Sequence, residues 1–204
     1  MQIAHSEIEA ASPNRVKKRP GLDALSWVPP AEFKAYVDSA ARRSAAGVPH
    51  ALFIIHLERL LDIAARCGPT AEKSLLDLVG LTLNNLVGHR FPACRLKEDH
   101  IAVIKDGCPL SMAPMAARQI CAALEGGTFI WHGRHFRLGA NVGITDLHPA
   151  PGGPAALINR ALRACAAAQE LGNRSYLILE GTPEESRRLA RDRDWFEHLS
   201  ETIG

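Results

Sequence analysis

At 204 residues the chain is one domain of ordinary size with some length to spare, enough to bury a sizeable core. A formal net charge of +2 argues against the electrostatic footprint of a nucleic-acid binder and against an acidic tail, and a hydrophobic share of 47% is that of a globular chain. No apolar run reaches the ~20 residues of a membrane span, and the polar start MQIAHSEIEA has no signal-peptide core, so a cytoplasmic protein with no membrane span is expected.

Five cysteines, Cys67, Cys94, Cys108, Cys121 and Cys165, are odd in number, widely spaced and free of any CxxC pair. Their apolar surroundings predict reduced core thiols. Residues 1–21, with SPNRVKKRPG, have the composition of a flexible basic lead. Pro29 and Pro30 then mark a helix start, with Phe33, Tyr36, Val37 and Ala40 at helical spacing until Gly47. The continuous apolar run Ala51 to Ile55 is short enough for a strand buried on both faces. A helix is predicted over Thr70 to Val87, with Leu75, Leu76, Val79, Leu83 and Leu86 on one face.

The stretch PACRLKEDHIAVIK, Pro92 to Lys105, organises the chain. Two β-prone runs flank the polar Lys97, Glu98, Asp99 and His100 and read as a β-hairpin. A tip with an acid and a histidine is either a place for chemistry or an idle exposed turn. A helix over Ser111 to Leu124 follows, with Met112, Met115, Ile120 and Cys121 towards the core. After Gly126-Gly127 a hairpin is predicted to turn at Gly133-Arg134, with a second strand through Val142 to Ile144. An Ala-rich helix from Pro154 to Leu171 ends at Gly172, SYLILE is the last strand, and a charged helix starts at Thr182-Pro183. Mixed order with hairpins favours α+β over a doubly wound parallel sheet. No HExxH, GxSxG or Walker pattern occurs.

This order resembles the GGDEF-domain family, the diguanylate cyclases that join two GTP molecules into cyclic di-GMP. The resemblance runs from about Leu22 to Glu180 and rests on five pieces in sequence. DALSWVPPAEF is similar to DxLTxLPNRxxF, LFIIHLERLLDIAARCG to LLLxDxDxFKxINDxxG, and RLKEDHIAVI to RxGGDEFxVL. FRLGANVGIT is similar to the strand ending SxGIA, and LINRALRACAAAQELGNRSYLI to LLxRADxALYxAKxxGRNRV. The resemblance implies a mainly antiparallel central sheet wrapped by helices, the palm-like nucleotidyl-cyclase fold. It divides the chain into the lead (1–21), a GGDEF-like domain (22–181) and a C-terminal helical extension (182–204).

The family's chemistry needs metal ions held by acids. Carried over residue by residue, the metal-binding acids fall on His56 and Glu58, the paired glycines on Lys97 and Glu98, and the acids that follow them on Asp99 and His100. An imidazole is a poor ligand for magnesium, and side chains at 97 and 98 are expected to crowd the nucleotide's space. The guanine-reading positions become Ala64 and Lys73, the phosphate-binding positions Gln169 and Asn173, and the product-inhibition RxxD becomes Gly88 and Phe91. The expected reading is a degenerate, non-catalytic domain without a cofactor, acting as a scaffold or regulator through protein contacts in a cyclic di-GMP-linked bacterial pathway. Its expected partners are an unidentified protein and a second copy of itself, with no nucleic acid. Trp195, Phe196 and Leu199 of the C-terminal helix are candidate partner-surface residues. One alternative is a nucleotide or metal sensor in which His56, Asp99 and His100, with Glu58, favour a transition metal over Mg²⁺. The remaining one is a surviving cyclase.

Overall fold

A computed structural model describes residues 25–88, 90–172 and 175–181. The basic lead, the C-terminal helix with Trp195, Phe196 and Leu199, and the phosphate position Asn173 lie outside the described residues.

The run His50–Glu58 is strand β2, and it is almost wholly apolar because both of its faces are covered. Side chains alternate across a strand. Ala51, Phe53, Ile55 and Leu57 therefore enter one core, shared with Leu75, Val79 and Leu83 of helix α3 (Pro69–Val87) and Ile120 of helix α4 (Ala113–Glu125). Leu52 and Ile54 enter a second core, with Phe33 and Val37 of helix α1 (Pro30–Ala45) and Leu157, Ala161 and Cys165 of helix α5 (Gly153–Glu170). The sheet is thus the middle of three layers.

Strand β2 sits inside a six-stranded sheet of order β1-β3-β4-β2-β7-β8. The hairpin strands β3 (Ala93–Lys97) and β4 (His100–Asp106) lie on one side, with Ile54 opposite Ala102. Strand β7 (Gly139–Asp146) lies on the other, with Ile54 opposite Gly143. These four strands are antiparallel, and the outer strands β1 (Trp27–Val28) and β8 (Tyr176–Ile178) join in parallel. Strands β5 (Thr128–Trp131) and β6 (Arg134–Arg137) form a separate two-stranded sheet. The α+β expectation of a mainly antiparallel sheet wrapped by helices describes this architecture.

Several local expectations change. Two helices, not one, connect β2 to the hairpin: α2 (Leu60–Cys67) stops at Gly68, whose φ of 83° breaks the helix, and Pro69 starts α3. Strand β1 was not anticipated. The outer hairpin turns at His132-Gly133, both at positive φ (46° and 75°), one residue earlier than expected. Met112 and Met115 do not face the core; they are 47% and 48% exposed. Residues Leu110–Met112 form a 3-10 turn before α4, and the buried stripe runs through Ala113, Ala116, Ala117, Ile120, Cys121 and Leu124 instead. All five cysteines are free, four of them buried and Cys67 part-exposed.

Candidate functional site

The register that sets β2 between β4 and β7 brings His56 opposite both His100 and Asn141. By alternation His56 shares the face of Leu52 and Ile54, the side covered by α5. The β3–β4 turn is short: Lys97 pairs with His100, and a register shift between Arg95 and Lys97 leaves Glu98 and Asp99 at the bend. The turn is anchored twice. Leu57 N–H donates to the Asp99 carbonyl at 2.9 Å, and Arg95 Nε donates to the Glu98 carbonyl at 2.9 Å. Arg95 also reaches Glu72 of α3 at 2.5 Å, which makes it a strut between the hairpin and that helix.

The Asp99 carboxylate lies between the two imidazoles. His100 Nδ1 is 2.6 Å from Oδ1, His56 Nε2 is 3.4 Å from Oδ2, and the two rings are tilted with centroids 5.2 Å apart. The far nitrogen of His100, Nε2, meets the Gln169 amide of α5 at 3.4 Å. With Nδ1–H donating to Asp99, Nε2 accepts from that amide, so both ring nitrogens are engaged. Gln169 extends the chain of contacts to Cys165 Sγ at 3.9 Å, and Cys165 donates to the Asn141 carbonyl at 3.6 Å. On the other side Asn141 Nδ2 donates to Glu58 Oε1 at 3.1 Å, and Ser175 Oγ donates to Asn141 Oδ1 at 3.3 Å.

The electrostatics follow this packing. Burial pushes the His56 imidazole below its ordinary pKa of 6.5, although the Asp99 charge opposes the shift. Burial alone would raise Asp99; the hydrogen bond and charge of His100, with the charge of His56, outweigh it and hold the carboxyl below the usual carboxylate value. His56 Nδ1 is buried and has no hydrogen-bond partner among the described residues.

His56, Asp99 and His100 are therefore brought together as the alignment implies, Gln169 joins them through His100, and Glu58 lies one step away through Asn141. Lys97 and Glu98 have exposed side chains, so the filling of this region falls to the imidazoles and Gln169 rather than to them. Ala64, part-buried on α2, offers no side-chain polar atom, and Lys73 is exposed on α3. At the RxxD positions, Gly88 has φ 88°, and Phe91 is buried with the His50 ring edge-on at 5.6 Å. Arg90 pairs with Asp106 at 3.4 Å.

A magnesium pair does not fit these residues. The Asp99 oxygens already contact two imidazoles, and both nitrogens of His100 are engaged. Glu58 accepts from Asn141, and magnesium wants unencumbered oxygens. Among the described residues no group of three or more His, Cys, Asp or Glu side chains is arranged to hold a metal ion, which also leaves the His56–Asp99–His100 metal alternative without a preformed site.

Asn141, Cys165 and Ser175 belong to this cluster and were not singled out from the sequence. Strand alternation does signal Asn141, a polar residue on the face of β7 that turns away from Ala140, Val142 and Ile144.

The fold is that of the GGDEF domain. The chain superposes on the FimX GGDEF domain from Pseudomonas aeruginosa with a TM-score of 0.65 at 20% identity, covering 76% of this chain and 94% of that one. It also matches diguanylate cyclase SiaD, solved in complex with its activator SiaC from Pseudomonas aeruginosa, with a TM-score of 0.64 at 13% identity over 75% of this chain and 58% of that one. In sequence it is 29% identical over 151 residues to the probable diguanylate cyclase DgcE of Escherichia coli (strain K12). That match takes in 72% of this chain and only 14% of the relative's length. No protein-family model matches the chain. The chain thus has the GGDEF-domain fold and a sequence similar to part of a probable diguanylate cyclase. Among the described residues, no helix is long and apolar enough to cross a membrane.

Proposed function

We propose that this domain is a non-catalytic GGDEF-fold signalling module that acts through protein contacts, as a scaffold or regulator in a cyclic di-GMP-linked pathway. The observation that carries the reading is the internally paired cluster at the hairpin. Where an active site needs free carboxylates for metal and open backbone for nucleotide, Asp99 is shared by His56 and His100, and Gln169 caps His100. Groups that hydrogen-bond one another in the resting protein have to be pulled apart before they can bind anything else, and desolvated charges make that costly. The guanine-reading positions, Ala64 and Lys73, supply no matched donor–acceptor pair. That SiaD, a protein containing a domain of this fold, forms a complex with its activator SiaC supports a protein partner for this chain.

The test is calorimetry on the purified chain with GTP and with cyclic di-GMP, each with and without Mg²⁺. No heat is expected in any arm. Saturable heat with either nucleotide, or dinucleotide formation from GTP that is lost in Asp99→Ala, overturns the reading.

A further inference from the structure

Strand β8 delivers the chain to a cleft of about 250 Å³, which Glu180 and Gly181 line together with Pro109 and Leu110 at the approach to α4. The exit is pinned there. Leu179 N–H donates to the Ile144 carbonyl at 2.9 Å, Thr145 Oγ1 donates to the Leu179 carbonyl at 2.7 Å, and Gly181 N–H donates to Asp146 Oδ1 at 3.2 Å. A Cβ on Gly181 would stand 2.5 Å from the buried Arg160 guanidinium, so the backbone lies directly on that group. From Leu110 an apolar path continues over the outside of α4. Met112 immediately precedes the helix and Met115 is in its first turn, and both are about half exposed. Residues three apart are neighbours on a helix surface, and among the described residues no other two exposed large apolar side chains stand so close in sequence. Arg118 Nη1 donates to Tyr176 Oη at 3.0 Å, so β8 runs beside α4 from Arg118 back towards the start of the helix.

We infer that residues 182–204 fold back on their own domain and cover this methionine patch with Phe196, Leu199 and Ile203. In the sequence these three recur at the three- and four-residue spacing of one helix face, with Leu189 two turns earlier. Unbranched, polarizable methionines adapt well to an apolar helix face laid against them. Position selects the occupant. The segment starts from Gly181, on the cleft that Leu110 also lines, and Met115 lies on the order of 10 Å from Leu110 along the helix. A segment tethered so close meets the patch at an effective concentration on the order of millimolar, which favours it over a second copy or a separate protein. The inference does not depend on the domain's being non-catalytic.

The experiment follows tryptic cutting at Arg188–Leu189 by mass spectrometry in three full-length chains: wild type, Met112→Glu/Met115→Glu and Phe196→Glu/Leu199→Glu. A synthetic peptide of residues 182–204 gives the rate for the uncovered segment. Wild type is expected to be cut roughly tenfold more slowly than the peptide, and both variants at close to the peptide's rate. Arg95, inside the sheet, is expected to stay uncut in all three, and the segment variant carries the test should the patch variant open there. Wild type cut as fast as the peptide leaves the patch to another protein and overturns the inference. So does a patch variant cut no faster than wild type, which puts the segment elsewhere. Protection that disappears on dilution from about 50 μM to about 0.5 μM makes the occupant a second copy, and overturns it as well.

Discussion

Gly143 of β7 and Cys165 of α5 meet backbone to backbone. A Cβ on Gly143 would stand inside the van der Waals radii of Cys165 N and the Ala161 carbonyl, neither of which is a flexible side-chain end. The helix therefore lies directly on the strand, and this closeness is what lets Gln169, one turn beyond Cys165, reach His100. Gly143→Ala is expected to destabilise the fold by about 3 kcal/mol, the upper range of overpacking, and to be read as a lowered urea midpoint with little change in slope. Gly139→Ala is a contrast: its Cβ would meet the Glu58 carboxylate, which can swing away, so a loss of about 1 kcal/mol is expected, chiefly from the Glu58–Asn141 hydrogen bond.

The His56–Asp99 pair makes stability depend on pH. His56 binds its proton more weakly in the folded chain than in the unfolded one, so its contribution is complete above 6.5 and is lost as pH falls below that value. Asp99 works in the same direction further down, because a carboxyl held low contributes above its ordinary 3.8 and loses that contribution as pH drops through the folded value. Melting temperatures of wild type are expected to fall from about pH 7 to about pH 5, and His56→Asn is expected to flatten that slope. Identical slopes in the two proteins would count against burial as the cause.

Thiol chemistry should divide the cysteines by burial. Burial pushes Cys94 and Cys121 up to about 11 and raises Cys108 and Cys165 as well. In native protein near neutral pH, a chromogenic thiol reagent is expected to modify Cys67 quickly and the others only on unfolding. Cys67→Ser should abolish the fast phase.

The turn at His132-Gly133 places a non-glycine residue at φ 46°. Two-residue hairpin turns of this kind favour Asn or Gly at the first position, because a side chain with a branched ring crowds the left-handed backbone. His132→Asn is expected to stabilise the domain by about 0.5 kcal/mol, visible as a rise of about 1–2 °C in melting temperature.

How much of this was legible follows from how local each signal is. β2 and α3 announce themselves, one as an unbroken apolar run and the other as leucines at helical spacing. The helix after Gly68-Pro69 is readable, but α2 before that break is masked by the apolar run of β2 that leads into it. β1 carries no pattern, because two residues that pair in parallel with β3 are defined by their distant partner alone. A helix starting at Ser111 turns Met112 and Met115 inward, but that start is a 3-10 turn and the helix begins at Ala113. At the site, the meeting of His56, Asp99 and His100 was foreseen through the family alignment. Gln169 on His100 and Asn141 on Glu58 were not, since those contacts join residues far apart in the chain and depend on the close seat of α5 on Gly143.

The central place of β2 also bears on how the chain reaches this state. Ile54 pairs with Ala102 on one side and Gly143 on the other, so the most apolar strand is made before both of its partners and completed only when β7 emerges. At roughly 5–20 residues per second on the ribosome, its edges stay open for several seconds before β7 emerges. Such non-local pairing is slow, and an unpaired apolar strand invites pairing with other chains. Yield on expression should therefore respond to chaperone supply and to growth temperature well before any change in the stability of the finished domain.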